Sequence, residues 1–235
     1  MNYAGRHELS TIDWPGHASY VVFLRGCPMS CPHCHNEKIR TGERLVDFND
    51  IAQEILAARR YVSALVISGG EPVMQPEVCL ELLIWGHALG LKVGLETSGC
   101  RPIPEGFDRV FLDIKTSLES WLYNSYTQDN KAFDNVVQNL ERLDPNVTEI
   151  RYVVHESDPP IIDPFSPIID MGFSIRLLKG DQTSQDYFTN FQNSVISDLN
   201  LKLEKGVLKK TLDEAARLQK SISHLKEIEC ATGRY

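Results

Sequence analysis

Apolar positions along the chain follow two alternating rhythms. Six short runs are almost continuously apolar: Ser19 to Leu24, Ala64 to Ser68, Lys92 to Glu96, Arg109 to Ile114, Glu149 to Val154 and Phe173 to Leu178. Strands covered on both faces have this pattern. Between them, Phe48 to Tyr61, Glu77 to Leu89 and Ala132 to Leu143 repeat apolar residues at helical spacing. The alternation predicts an α/β fold, with parallel strands joined by right-handed helical crossovers. Six such units fall short of a closed eight-stranded barrel, so a curved, partial (β/α)6 barrel is expected, with its core over about residues 18–180. Pro159, Pro160, Pro164 and Pro167 interrupt the last crossover, so any helix there must be short or broken. A C-terminal helical extension, 181–235, should follow. Within it Gly206 to Ile228 carries Leu208, Leu212, Ala215, Leu218, Ile222 and Leu225 on one stripe.

Length and charge narrow the class. A chain of 235 residues can bury roughly 70% of its unfolded surface in one core, so a single domain spanning 1–235 is the expectation. No segment reaches the roughly 20 apolar residues that cross a bilayer, and the charged N-terminus lacks the apolar core of a signal peptide. A cytoplasmic protein with no membrane association follows. The net charge of −8 argues against a nucleic-acid partner, because phosphate binding rests on clustered Lys and Arg. A protein or small-molecule partner fits better.

The cysteines carry the chemistry. Of six, Cys27, Cys31 and Cys34 are bunched in RGCPMSCPHCHN, while Cys79, Cys100 and Cys230 are scattered and receive no role. Cys79 reads as a small buried hydrophobe. One loop, stiffened by Pro28 and Pro32, can wrap the three clustered thiols around a single metal centre. A cubane iron-sulfur cluster needs four ligands, so three thiolates would leave one iron open. The competing reading is a structural zinc site completed by His33 or His35, but thiolate zinc sites usually pair separated Cys dipeptides. The loop also follows the first predicted β-α strand, at the end where barrels place their chemistry. A ferredoxin-like electron carrier would need a fourth nearby thiol.

The spacing Cys27-x3-Cys31-x2-Cys34, with His33 at the motif's aromatic position, resembles the cluster motif of radical S-adenosylmethionine (SAM) enzymes. STIDWPG followed by VVFLRGCPMSCPHCHN resembles the start of the activating proteins of glycyl radical enzymes, especially those of anaerobic ribonucleotide reductase and pyruvate formate-lyase. The resemblance implies a radical SAM barrel with a [4Fe-4S] cluster on Cys27, Cys31 and Cys34, and SAM's amino and carboxylate groups on the open iron.

The other strand ends can be weighed with and without that resemblance. Gly69, Gly70 and Glu71 end the second run; alone they could be an ordinary turn. The resemblance makes them the family's GGE motif, with Glu71 accepting from the SAM ammonium. Thr97 and Ser98 end the third run, either as a loop cap or as hydroxyls facing a ribose, and Thr97 is the favoured contact. Glu96 stands where the family usually has Asp. In FLDIK, Asp113 and Lys115 share one side of a strand; a structural ion pair competes with the family's SAM-binding Asp and Lys. Arg151, inside an apolar run, needs an anion, either a structural carboxylate or that of SAM. Arg176 and Lys179 are left unassigned. His155 and His17 read as surface or structural residues.

The implied function is reductive cleavage of SAM to a 5′-deoxyadenosyl radical that abstracts a glycine hydrogen from a glycyl radical enzyme, with anaerobic ribonucleotide reductase the expected target. The implied partners are that enzyme and an electron donor such as flavodoxin or ferredoxin, and no catalytic residue is required beyond cluster and SAM. The alternatives are a radical SAM enzyme acting on a small molecule, as 7-carboxy-7-deazaguanine synthase does, and a non-catalytic zinc module.

Overall fold

In the computed structural model, which describes residues 1–116, 118–156, 166–180 and 183–204, the six anticipated strands stand side by side with a seventh added at one edge. The chain runs β1 (Tyr3–Ser10), β2 (Ser19–Leu24), α1 (Phe48–Ala58), β3 (Ala64–Gly69), α2 (Pro76–Ala88), β4 (Lys92–Thr97), β5 (Arg109–Ile114), α3 (Ser120–Thr127), α4 (Ala132–Arg142), β6 (Thr148–Val154), α5 (Ser166–Asp170), β7 (Ser174–Lys179) and α6 (Gln185–Glu204). Spatial order in the sheet is chain order. Strands β2 to β7 pair in parallel, as the crossovers require, and β1 is antiparallel to β2.

The apolar runs are continuous because both faces of the sheet are covered. On the outer face Tyr20, Val22 and Leu24 of β2, Leu65 and Ile67 of β3, and Val93 and Leu95 of β4 join Ile51 and Ile55 of α1 and Leu82 of α2 in the main core. Their strand neighbours Val21, Ala64, Val66 and Phe111 form a second cluster on the concave face. Trp14, from the turn between β1 and β2, completes it. Its ring meets Phe111 edge-on at 5.8 Å.

Three elements differ from expectation. β1 escapes periodicity analysis because it is an edge strand whose middle is exposed, so nothing demands apolar residues there. α3, an eight-residue helix between β5 and α4, buries only Tyr123 and Thr127, too few positions to make a helical stripe. α6 occupies Gln185–Glu204, inside the helical extension expected over 181–235 but ahead of the apolar stripe read at 206–228. Its Phe188 is buried, and its Phe191 lies parallel to Tyr152 of β6. The helix expected over 206–228 lies outside the described residues. α5 contains Pro167 and is five residues long, as the prolines lead one to expect.

Trp14→Ala is expected to lower stability to chemical denaturation by about 3–5 kcal/mol, the usual cost of deleting a buried large aromatic, because it empties the concave cluster. A midpoint unchanged from wild type in a denaturant titration would show that the turn does not brace the sheet.

Candidate active site

The cysteine loop begins where β2 ends and is held by backbone bonds. The N–H groups of Gly26 and Cys27 donate to the carbonyls of Ile39 and Arg40, both at 2.9 Å, and the N–H of Ser30 donates to the carbonyl of Thr127 at 2.8 Å. Met29 is buried and anchors the loop's middle in the core. Across from it, Gly70 and Glu71 donate their N–H groups to the carbonyls of Leu24 (2.9 Å) and Gly26 (2.8 Å). This approach requires the two glycines. A Cβ on Gly69 would stand 2.0 Å from the Leu24 oxygen, and one on Gly70 would stand 2.5 Å from the Gly26 oxygen. Gly69 also has a φ of +145°, which other residues rarely adopt.

A cavity of about 460 Å³ opens at the C-terminal ends of the strands. Cys27, Cys31, His33 and Cys34 line it on the loop side, with Gly69, Gly70, Thr97, Asp113, Lys115 and Arg151 from the strand ends. Ala4, Gly5, Arg6 and His7 of β1 and Leu178 and Lys179 of β7 also border it, so both edges of the curved sheet face one space. Position alone therefore assembles the expected site residues, with one exception, Glu71. Asp13, Ser98 and His155 line the cavity too. Sequence reasoning missed Asp13, which sits in a turn, and set aside His155, although its place directly after a strand is the same signal that picked out the others.

The three loop thiols all border the cavity. Burial pushes the Cys27 thiol up to about 12 and raises that of Cys31 as well. Among the described residues, no three His, Cys, Asp or Glu side chains converge closely enough to ligate one metal ion. Cys79 and Cys100 are buried elsewhere, the first donating its thiol to the Pro72 carbonyl at 3.2 Å and the second lying 3.8 Å from a Glu71 oxygen. Cys230 lies outside the described residues.

Opposite the loop stands a chain of alternating charges. Arg151 donates through Nη1 to Glu96 at 2.8 Å and through Nε to Asp113 at 2.9 Å, while Lys115 Nζ reaches the other Asp113 oxygen at 3.1 Å. The guanidinium also lies over the Phe111 ring at 5.0 Å. Arg151 thus has two structural carboxylates as its anions. Burial works against charge on Asp113, but Arg151 and Lys115 outweigh it and hold the carboxyl below its usual range. At Glu96 burial prevails over Arg151, helped by Asp13 and Asp113, and the pKa rises. Burial draws Lys115 down, yet Asp113, Cys31 and Glu71 more than compensate, so its ammonium is retained.

Glu71 is held by donors of the protein itself. Its carboxylate is fully buried and accepts from Thr97 Oγ1 at 2.5 Å, from the Ser98 N–H at 2.9 Å, from the Ser98 hydroxyl and from the Val73 N–H at 3.4 Å. It pins β4's end to β3's end and is not among the residues that line the cavity. The same bonds engage the Thr97 and Ser98 hydroxyls, as a loop cap at the end of β4 would. The physical reason is desolvation: a buried carboxylate must gather donors, and these hydroxyls are the donors within reach. Asn139 of α4 secures the segment beyond, donating to the carbonyls of Gly99 and Arg101 and accepting from the Ile103 N–H.

Residues 21–156 match the sequence model of the radical SAM superfamily. A Methanocaldococcus jannaschii protein described as a glycyl-radical enzyme activating enzyme is 40% identical over 104 residues, covering 42% of this chain and 41% of that protein. The pyruvate formate-lyase-activating enzyme of Staphylococcus aureus is 32% identical over 131 residues, 52% of each chain. The matched stretch thus spans about half the length of these relatives or less. Among solved structures, Streptococcus suis SuiB bound to its precursor peptide SuiA superposes with a TM-score of 0.60 at 16% identity, covering 78% of this chain and 46% of that one. That likeness concerns the fold.

Arg151→Met is expected to cost about 3–5 kcal/mol of stability, since removing one partner leaves buried carboxylates uncompensated. Adding Glu96→Gln should recover part of that loss by removing one of the stranded charges. Denaturant melts of the two variants test the pair, and a single mutant as stable as wild type would refute the interdependence.

Proposed function

The chain belongs to the radical SAM superfamily, and from that premise we propose that it is the activating enzyme of a glycyl radical enzyme. The observation that carries this reading is the likeness to two activating enzymes in a chain whose three loop thiols face a cavity with a cation and carboxylate array on its far wall. Superfamily members use a [4Fe-4S] cluster and SAM, and when bound these supply a 5′-deoxyadenosyl radical able to take a hydrogen atom from a glycine Cα.

The chain's own residues bind, orient and shield. Cys27, Cys31 and Cys34 would each hold one iron and leave the fourth for SAM. His33, Gly69, Gly70, Thr97, Asp113, Lys115 and Arg151 form the SAM-binding wall in this reading. Lys115 offers an ammonium to a carboxylate, and Asp113 keeps that ammonium charged and in place. Arg151 is clamped from two sides and so fixes the carboxylates around it without needing to move. Glu71 contributes by holding the ends of β3 and β4 together. A walled cavity also keeps water from a reactive intermediate. No acid-base pair is needed.

Anaerobic ribonucleotide reductase is the proposed target, a flavodoxin or ferredoxin the proposed electron source and the cytoplasm the proposed location. No helix among the described residues is long and apolar enough to cross a membrane.

Anaerobically reconstituted protein given SAM and a strong reductant is expected to form 5′-deoxyadenosine, and Cys31→Ala to form none above background. Wild type that contains iron and sulfide yet forms none would sink the proposal. Lys115→Met should raise the SAM concentration for half-maximal rate by roughly tenfold or more, the worth of one charge-assisted hydrogen bond. Target choice is read by mixing the activated protein with anaerobic ribonucleotide reductase and looking for the glycyl radical's electron paramagnetic resonance signal.

A further inference from the structure

One contact on the cavity wall is left over by the roles given above. The imidazoles of His33 and His155 lie face to face, ring centroids 3.9 Å apart and planes inclined by 18°. His33 sits in the loop between Cys31 and Cys34, and His155 directly follows β6. Although it borders the cavity, His155 is only 7% exposed, and the fold prepares a seat for its ring. At Gly180, just past β7, a Cβ would stand 2.5 Å from His155 Nδ1 and 2.7 Å from Cε1, closer than any side chain could remain. The backbone beside the seat is fixed independently of the ring. The Gly180 N–H (3.0 Å) and the Thr183 hydroxyl (2.9 Å) both donate to the Val154 carbonyl. The ends of β6 and β7 therefore close around one imidazole and turn its ring toward the cysteine loop.

The stack reaches a part of the loop that the backbone ties do not. Bonds from Gly26, Cys27 and Ser30 hold the first half, and the Asn36 side chain, donating to the Gly69 carbonyl at 3.1 Å, holds the far end. Between them, the ring pair joins the stretch carrying Cys31 and Cys34 to the opposite side of the sheet.

We propose that His155 is a positioning residue for the cysteine loop: seated by Gly180, its ring holds His33, and with it the Cys31–Cys34 stretch, against the end of β6. The inference rests on the reading that the loop holds an iron-sulfur cluster. It predicts that losing the stack loosens two of the three thiolate ligands while the chain stays folded.

The test uses the full chain, reconstituted anaerobically with iron and sulfide, without SAM, and follows iron release to a ferrous chelator. His155→Ala should release iron roughly fivefold faster than wild type, the factor that a ring stack of ordinary strength corresponds to. His155→Phe, which retains a stackable ring, should stay within about twofold of wild type. Gly180→Ala should resemble His155→Ala, because the added methyl displaces the ring. Thermal melts of the same samples separate positioning from general weakening: His155→Ala is expected to melt close to wild type. Equal release from wild type and His155→Ala overturns the proposal, as does a His155→Phe variant as labile as His155→Ala. Wild type that takes up no iron and sulfide removes the cluster reading itself, and the proposal goes with it.

Discussion

The site depends on how closely two stretches of backbone lie. The end of β3 and the start of the cysteine loop are in direct hydrogen-bonded contact, Gly70 to Leu24 and Glu71 to Gly26, with no room for a Cβ between them. Parallel strands bring their C-terminal ends to one side of a sheet, but that alone leaves loops free to wander. The glycine pair removes the freedom by extending strand-like pairing beyond the strands, so the thiol-bearing loop inherits the rigidity of the sheet.

Buried charge then organises the rest. Glu71 is satisfied by hydroxyl and amide donors from the segment after β4 and so ties a third strand end to the first two. Asp113, Glu96, Arg151 and Lys115 satisfy one another across β4, β5 and β6. Such groups are costly to bury alone and tolerable in mutual contact. The Asp113 carboxylate and the Lys115 ammonium thus stay charged beside the cavity, where a charged ligand can be recognised. On the concave face below, Trp14 and Phe111 fill the space that an incomplete barrel would otherwise leave open.

Much of this was legible in the residues. Strands buried on two faces have little choice but to be apolar throughout, so β2 to β7 announced themselves, as did the amphipathic helices α1 and α4. β1 did not, because an exposed edge places few demands on side chains, and the placing of α6 within the expected helical extension did not, because its burial rests on a few aromatic contacts rather than a periodic stripe. The cysteine motif was visible because thiolate chemistry restricts both residue type and spacing.

What the sequence determined by itself was the order of the β-α units and the identity of the residues that arrive at the strand ends, because chain alternation dictates which loops share a side. The tertiary structure alone decided which way those side chains are spent. Glu71 looked like a ligand contact and turns to Thr97, which keeps its place on the cavity wall. Arg151 could have awaited an external anion and instead holds Glu96 and Asp113. His155 could have been a surface or a structural residue and lies buried, stacked on the loop. Hydrogen-bond partners and ring contacts come from elements far apart in the chain. Their choice is made by desolvation and close packing in the assembled sheet, neither of which has a signature in local sequence.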